Sequence, residues 1–278
     1  MSDLPTNESA EASSQVASQD AGPCVICGHA TEAIEVTCRV QPFVGKTQAG
    51  LFCALCGMLR FPGNTGDFTI NATGFEGDLR NLRNGNDERP GREFHMAQMG
   101  LEILNRPDIT VTFFGAGLNT DWKWVQTVHP QVKTKLVDLE NLQGLEHFES
   151  IQDGTPADIV IASEVIEHFE EPVEHFQSLF RLVKEDGILI CSTNVFDGTD
   201  ISQHMYPFIP GHVAYWTPMA LLKVAASAGF FIDFRTPEIG LNRGGPRKKY
   251  ILFYRNAETA YRVALYFGTH MLAPSEQR

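Results

Sequence analysis

Asp158-Ile-Val-Ile-Ala-Ser-Glu-Val-Ile-Glu-His-Phe-Glu-Glu-Pro172 is the stretch whose reading decides the fold. Its first five residues form an apolar run rich in β-branched side chains, as expected of a strand buried on both faces of a parallel sheet. The run ends in a polar cluster, Ser163-Glu164-Val165-Ile166-Glu167-His168. In open α/β sheets that end of a strand is where ligands bind. Pro172 then opens a helix expected over residues 173–184, with Val173, Phe176, Phe180 and Val183 on one face. Gly187 ends the unit, and residues 188–193 supply the next buried strand. Strand, helix and strand in this order predict an α/β fold with a parallel sheet.

Three phrases then carry a family resemblance: DIVIASEVIEHFEEP at 158–172, VKEDGILICSTN at 183–194 and HVAYWTP at 212–218. In wording and spacing they resemble the second half of a class I S-adenosylmethionine-dependent methyltransferase. The resemblance implies a Rossmann-like seven-stranded methyltransferase sheet over residues 109–256. Upstream, residues 109–114 read as its first strand, leading into Gly115-Ala116-Gly117 and a helix from about Trp122. Glycines at a strand end let the backbone approach a ligand, and amides at a helix start suit a polar cofactor tail. This loop is similar to the family's cofactor loop, D-x-G-C-G-x-G, with two departures: Phe113 stands at the acidic position and Asn119 at the last glycine. Asp138 ends the next strand, where a ribose-binding acid is expected. The phrase DLEN at 138–141 also resembles the family's following strand, so one βα segment reads as trimmed. Ser163 and Glu164 are expected to line the cofactor pocket with Gly115, Ala116, Gly117 and Asp138.

The N-terminal third is organised differently. Residues 1–20 carry almost no large apolar side chains and read as a disordered tail. Cys24, Cys27, Cys53 and Cys56 form two CxxC pairs, each followed by glycine. Two such knuckles complete a tetrahedral zinc site, so residues 21–62 read as a small zinc ribbon. His29 is a substitute ligand, whereas Cys38 and Cys191 read as core. A four-cysteine ribbon ahead of this domain resembles the sugar C-methyltransferases and related natural-product enzymes. Residues 63–108 read as a connector with a covering helix at 93–105, stopped by Pro107. A helix from Pro218 to about residue 228, a closing hairpin at 230–254 and a C-terminal helix within 257–278 complete the chain. Arg243, Arg247, Lys248 and Lys249 fall in the hairpin connection and read as a solvated tip, with a phosphate contact as the alternative.

Composition narrows the function classes. The 278 residues carry a formal charge of −12 and 43% hydrophobic residues, ordinary for a globular protein and unfavourable for broad nucleic-acid binding. Neither a membrane-length apolar run nor a signal-peptide pattern is present, so the chain reads as cytoplasmic, with a small-molecule substrate and no membrane partner. Four of the six cysteines in CxxC pairs favour metal over disulfides.

Methyl transfer requires alignment of donor and acceptor and, for a hydroxyl or carbon acid, removal of a proton. His212 and His204, in or beside the irregular stretch 195–212, are the candidate bases. Glu164, Glu167 and His168 form a candidate second metal site, for Mg²⁺, resembling the E-x-x-E-H phrase of ubiquinone-pathway O-methyltransferases and plant small-RNA 2′-O-methyltransferases. In the latter a later histidine, comparable to His212, completes the site. Two rivals stay open beside a small-molecule enzyme: metal-assisted RNA 2′-O-methylation, and a non-catalytic scaffold of the same fold, suggested by Phe113.

Overall fold

The computed structural model describes residues 20–65, 88–236 and 247–268. The N-terminal tail, most of the connector, the hairpin connection with Arg243, and the chain end fall outside the described residues.

Four short strands come first: β1 (Asp20–Pro23), β2 (Ala30–Thr37), β3 (Thr47–Phe52) and β4 (Leu59–Arg60). Helix α1 (Arg92–Leu104) follows, ending on Asn105 in the left-handed conformation two residues before Pro107. Then come β5 (Thr110–Phe114), α2 (Asp121–Val128), β6 (Lys133–Asp138), β7 (Phe148–Ser150) and β8 (Ala157–Ser163). A 3-10 turn at Ile166–His168 leads to α3 (Pro172–Arg181), β9 (Val183–Asn194), the short β10 (Ala214–Tyr215) and α4 (Pro218–Ser227). The last elements are β11 (Phe231–Arg235), β12 (Lys248–Tyr254) and α5 (Ala257–Tyr266).

The main sheet has seven strands in the order β11-β12-β9-β8-β5-β6-β7, with β12 antiparallel to both neighbours and the rest parallel. This is the Rossmann-like methyltransferase sheet that the sequence predicts. The trimming is real but spares the strands: β7 is three residues long, and no helix joins β6 to β7 or β7 to β8. Strand alternation builds two cores, one on each face. Val111, Phe113, Ile159 and Ile161 meet Met96, Ile103, Trp122, Val125 and Val263 of the helices α1, α2 and α5. Val160, Ala162, Leu189 and Cys191 face Phe176, Leu179, Trp216 and Leu221 around α3 and α4. Every residue of β8 is buried, as its unbroken apolar run requires.

Two boundaries differ from expectation. Helix α3 stops at Arg181, and β9 starts at Val183 rather than at 188. The sequence places a helical face on Val183, but its side chain is equally at home in the sheet, where Ala157 pairs with it. Asp158, at the start of β8, explains why the strands align here. Its carboxylate accepts the Thr110 amide at 2.8 Å, Lys184 Nζ at 2.9 Å and Arg106 at 2.5 Å, tying β5 and β9 to one buried acid. Burial works to raise its pKa, but these partners hold it below the usual value.

The ribbon strands form a second sheet, β1-β2-β3-β4-β10, so its last strand comes from the methyltransferase region. Ala214 pairs with Arg60, and Tyr215 with Leu59. Asn64 Nδ2 donates to the carbonyls of Pro207, Ile209 and His212 at 2.8–3.2 Å. Tyr206, Phe208 and Tyr215 share a core with Val36, Cys38, Leu59 and Phe61. The irregular stretch before β10 is thus packed against the ribbon.

Gly187 tests the tightness of the β8–β9 seam. A Cβ there would lie 2.8 Å from the Asp158 carbonyl oxygen and 3.1 Å from those of Ala157 and Lys184, all backbone atoms. Gly187→Ala is expected to destabilise the fold by about 1–3 kcal/mol, read as a lower urea midpoint at unchanged m-value.

Candidate active site

The switch in strand order lies between β5 and β8, and the candidate residues gather at the C-terminal ends of these strands. Gly115 (φ 65°) and Gly117 (φ 53°) adopt left-handed backbone that glycine accepts freely. A Cβ on Gly115 would also strike Val165 Cγ2 at 2.8 Å, whereas one on Gly117 would meet nothing within 4 Å. Ala116 between them is buried. Asp138 ends β6 and accepts the Gly117 amide at 2.9 Å and its neighbour Leu139's amide at 2.7 Å. It therefore sits beside the glycine turn at the end of the second strand, not at the end of the following one.

Helix α1 brings its N-terminus over this point. Asp121 accepts the amides of Gly91 (2.7 Å) and Phe94 (3.1 Å), anchoring the start of α1 to the start of α2. Arg92 then projects to Ser163, with Nε 2.8 Å from Oγ, and lies 3.4 Å from Glu164. Glu164 has φ 56°, a conformation rare outside glycine. One of its oxygens accepts Ser192 Oγ at 2.9 Å, and the other is ion-paired with Lys248. Burial favours the neutral acid, but the Lys248 and Arg92 charges hold Glu164 down to about 2. Lys248 is a correction to the solvated-tip expectation. It is 3% exposed, because β12 runs antiparallel beside β9 and pairs Lys248 with Asn194, next to the site. Arg247 is bound to Asp197 at 2.9 Å.

The structure separates Glu164 from the rest of the expected ion site. Its oxygens are engaged by cations and Ser192, while Glu167, His168 and His212 come together. One donor atom from each of these three lies within 4.8 Å of the others. Glu167 accepts Tyr206 Oη at 2.5 Å through Oε1, and its buried Oε2 has no partner. Burial and the Glu164 charge raise its pKa. His168 Nδ1 contacts the Gly211 carbonyl at 2.9 Å, which places the proton on Nδ1. His212 Nδ1 is buried without a partner, and burial pushes this imidazole down to about 3, so it is neutral at pH 7. His204 lies elsewhere: Nδ1 meets Tyr215 Oη at 3.0 Å and Nε2 meets Thr199 Oγ1 at 2.8 Å. Both nitrogens are committed to holding the 195–212 stretch.

The four ribbon cysteines cluster as their spacing predicts, with Cys24 and Cys56 sulfurs 3.7 Å apart and those of Cys27 and Cys53 3.5 Å apart. All four sulfurs lie within 4.8 Å of one another. His29 is not part of this group.

Sequence reasoning missed four site residues: Arg92, Glu93, Tyr206 and Lys248. Arg92 and Glu93 sit at the start of a helix whose apolar spacing points only to covering the sheet. A charged pair at the first turn of a helix that must lie over strand ends is the signal that was available.

Residues 68–233 match a family model described as a methyltransferase domain, more than half of the chain. No curated protein sequence matches. Among solved structures, the plantazolicin methyltransferase BpumL in complex with SAH is similar at 12% identity, over 59% of this chain and 82% of that one, with a TM-score of 0.44. An O-methyltransferase family protein from Burkholderia thailandensis is similar at 18% identity, over 59% and 57%, with a TM-score of 0.44. CalO1, a methyltransferase in calicheamicin biosynthesis, is similar at 14% identity, over 58% and 55%, with a TM-score of 0.40.

Glu164→Gln would leave Arg92 and Lys248 buried with one counter-charge fewer. The expected cost is about 3 kcal/mol at pH 7, measured by denaturant unfolding. Because the folded pKa is depressed, Glu164 stabilises above its unfolded value and loses that effect as pH falls toward 2. The variant's stability should therefore fall less steeply than the wild type's between pH 4.5 and 2.

Proposed function

The chain belongs to the methyltransferase-domain family, and on that premise we propose that it transfers a methyl group from S-adenosylmethionine to a small-molecule acceptor, a sugar or a secondary-metabolite intermediate. The observation that carries the reading is the left-handed Gly115–Gly117 turn bound to the Asp138 carboxylate at the switch point. This arrangement fits an adenosyl cofactor. The turn lets a ligand approach backbone amides, and a strand-end carboxylate suits ribose hydroxyls. When bound, S-adenosylmethionine supplies the electrophilic methyl.

The chain's own residues bind, orient and manage the proton. Arg92 and Ser163 fix the floor between β8 and α1. Glu167, with an unpaired buried oxygen, accepts a proton from a hydroxyl or carbon acid, and the neutral His212, with its unpaired Nδ1, orients the acceptor beside it. A carboxyl with a raised pKa is closer to neutrality and so a better base than an ordinary one. Tyr206 fixes Glu167 through its other oxygen.

A second reading of the same trio is favoured by its convergence. Glu167, His168 and His212 present a carboxylate and two imidazoles, and the His168 Nδ1 contact to a carbonyl orients that ring as in many metal ligands. Two imidazoles suit Zn²⁺, Mn²⁺ or Fe²⁺ better than Mg²⁺, which takes oxygen ligands. In the ribbon, Cys24, Cys27, Cys53 and Cys56 would hold a structural zinc as thiolates.

Titration of the folded, zinc-loaded protein with S-adenosylhomocysteine in a calorimeter is expected to show one site. Asp138→Ala should weaken it about tenfold, the loss of one charge-assisted hydrogen bond. Absence of binding by the folded wild type would remove the reading.

Elemental analysis separates the two roles of the trio. One zinc per chain, lost in Cys53→Ser, is expected for the ribbon alone. A further equivalent of Zn²⁺ or Mn²⁺, lost in His168→Ala, would establish the ion and displace the acid–base role.

A further inference from the structure

Phe113 removes the acid expected in the first strand, and the structure shows where its side chain goes. It is buried in the core between the sheet and helices α1 and α2. No carboxylate from that position of β5 reaches the site.

Glu93, in the first turn of α1, brings one from above. The residue is 6% exposed, and its Oε2 has no hydrogen-bond partner. Asn119, in the turn after Gly117, lies beside it, and its side-chain amide acts on the Glu93 carboxyl to favour the ionised form. The charged groups that face Glu93 are Asp121 at the start of α2, Arg92 on its own helix and Asp138 at the end of β6. Asp121 is committed to the amides of Gly91 and Phe94. Arg92 is committed to Ser163 and Glu164. The surroundings of Glu93, with its own carboxyl counted, therefore hold three carboxyl groups and one cation that already serves another acid. Burial, then the Asp121 charge, push Glu93 up to about 8, with Arg92 acting in the opposite direction. A buried carboxyl of this kind is neutral at pH 7 until a cation arrives.

We infer that Glu93 binds the α-ammonium group of the cofactor's amino-acid tail, presenting from helix α1 a carboxyl that β5 does not carry. The inference rests on the S-adenosylmethionine reading and goes beyond it in assigning a binding residue outside the strand-end motifs. When the ammonium group docks, Glu93 ionises and its proton passes to solvent, so binding and proton release are coupled. The proton balance is closed by that single release.

Calorimetry on the full zinc-loaded chain tests this with two ligands. S-adenosylhomocysteine carries the amino-acid tail, and 5′-methylthioadenosine lacks it. Glu93→Gln keeps the shape and the neutral state of the free protein, so its unfolding midpoint at pH 7 should match or exceed that of the wild type. The variant is expected to bind S-adenosylhomocysteine about 10- to 100-fold more weakly, the worth of a hydrogen bond to a charged group. Its affinity for 5′-methylthioadenosine should stay within about twofold of the wild type's. Wild-type binding of S-adenosylhomocysteine should strengthen from pH 6 to pH 8. Repeated at pH 7 in buffers of different ionisation enthalpy, it should show proton release that Glu93→Gln abolishes and Glu93→Asp partly restores. Equal weakening of both ligands, or unchanged binding of S-adenosylhomocysteine, would overturn the assignment while leaving the methyltransferase reading intact. Failure of the wild type to bind either ligand would overturn both.

Discussion

Glu164 follows β8 with its carboxylate half-buried, and the elements around it are arranged to satisfy that charge. A buried carboxylate without partners would take up a proton or force the structure open. Here Ser192 approaches from β9, Lys248 from β12 and Arg92 from the N-terminus of α1. Each partner fixes the element that carries it. Arg92 holds the start of α1 over the strand ends, and Lys248 brings the antiparallel strand to the site. Net charge within the cluster is positive, and Glu167 lies close enough for both cations to act on it. The left-handed backbone at Glu164 is the local cost of aiming this carboxylate inward.

This cluster divides the strand-end region into two chemically different sides. Toward β6 lie the glycine turn, Asp138, Asp121 and Glu93, a side rich in acid. Toward the 195–212 stretch lie Glu167, His168, His212 and Tyr206, a side with a neutral His212 imidazole and a carboxyl whose ionisation is opposed. The separation follows from which strand end each residue occupies.

The strands were legible because their sequences leave little choice. A run such as 158–162, β-branched and apolar throughout, can be buried only in the middle of a sheet, and the structure puts β8 there with every residue inside. The paired cysteines were legible for a similar reason, since CxxC spacing constrains two sulfurs directly. What the sequence concealed depends on contacts between distant segments. Lys248 looks like a hairpin-tip lysine until the register of β12 against β9 is known. The E-x-x-E-H phrase suggests that Glu164 and Glu167 act together, because helical spacing would place them on one face. The backbone instead turns left-handed at Glu164 and forms a 3-10 turn only from Ile166, which sends the two carboxylates in different directions. The sequence offered both His204 and His212 and placed His212 first; the hydroxyls of Thr199 and Tyr215, which occupy both His204 nitrogens, separate them in the structure.

The ribbon belongs to the same physical unit as the site. Asn64 closes on three carbonyls of the 206–212 segment, including that of His212, and Thr217 bonds to the Cys56 carbonyl just before α4. Strand β10 completes the ribbon sheet, so the segment that positions His212 is held at one end by β4. An irregular stretch of this kind has no ladder of its own to define its shape, and its backbone groups must find partners elsewhere. The ribbon supplies them. The cysteine knuckles pack beside Met58 and Trp216 in the main core, so the ribbon and the segment carrying His212 form one packed unit.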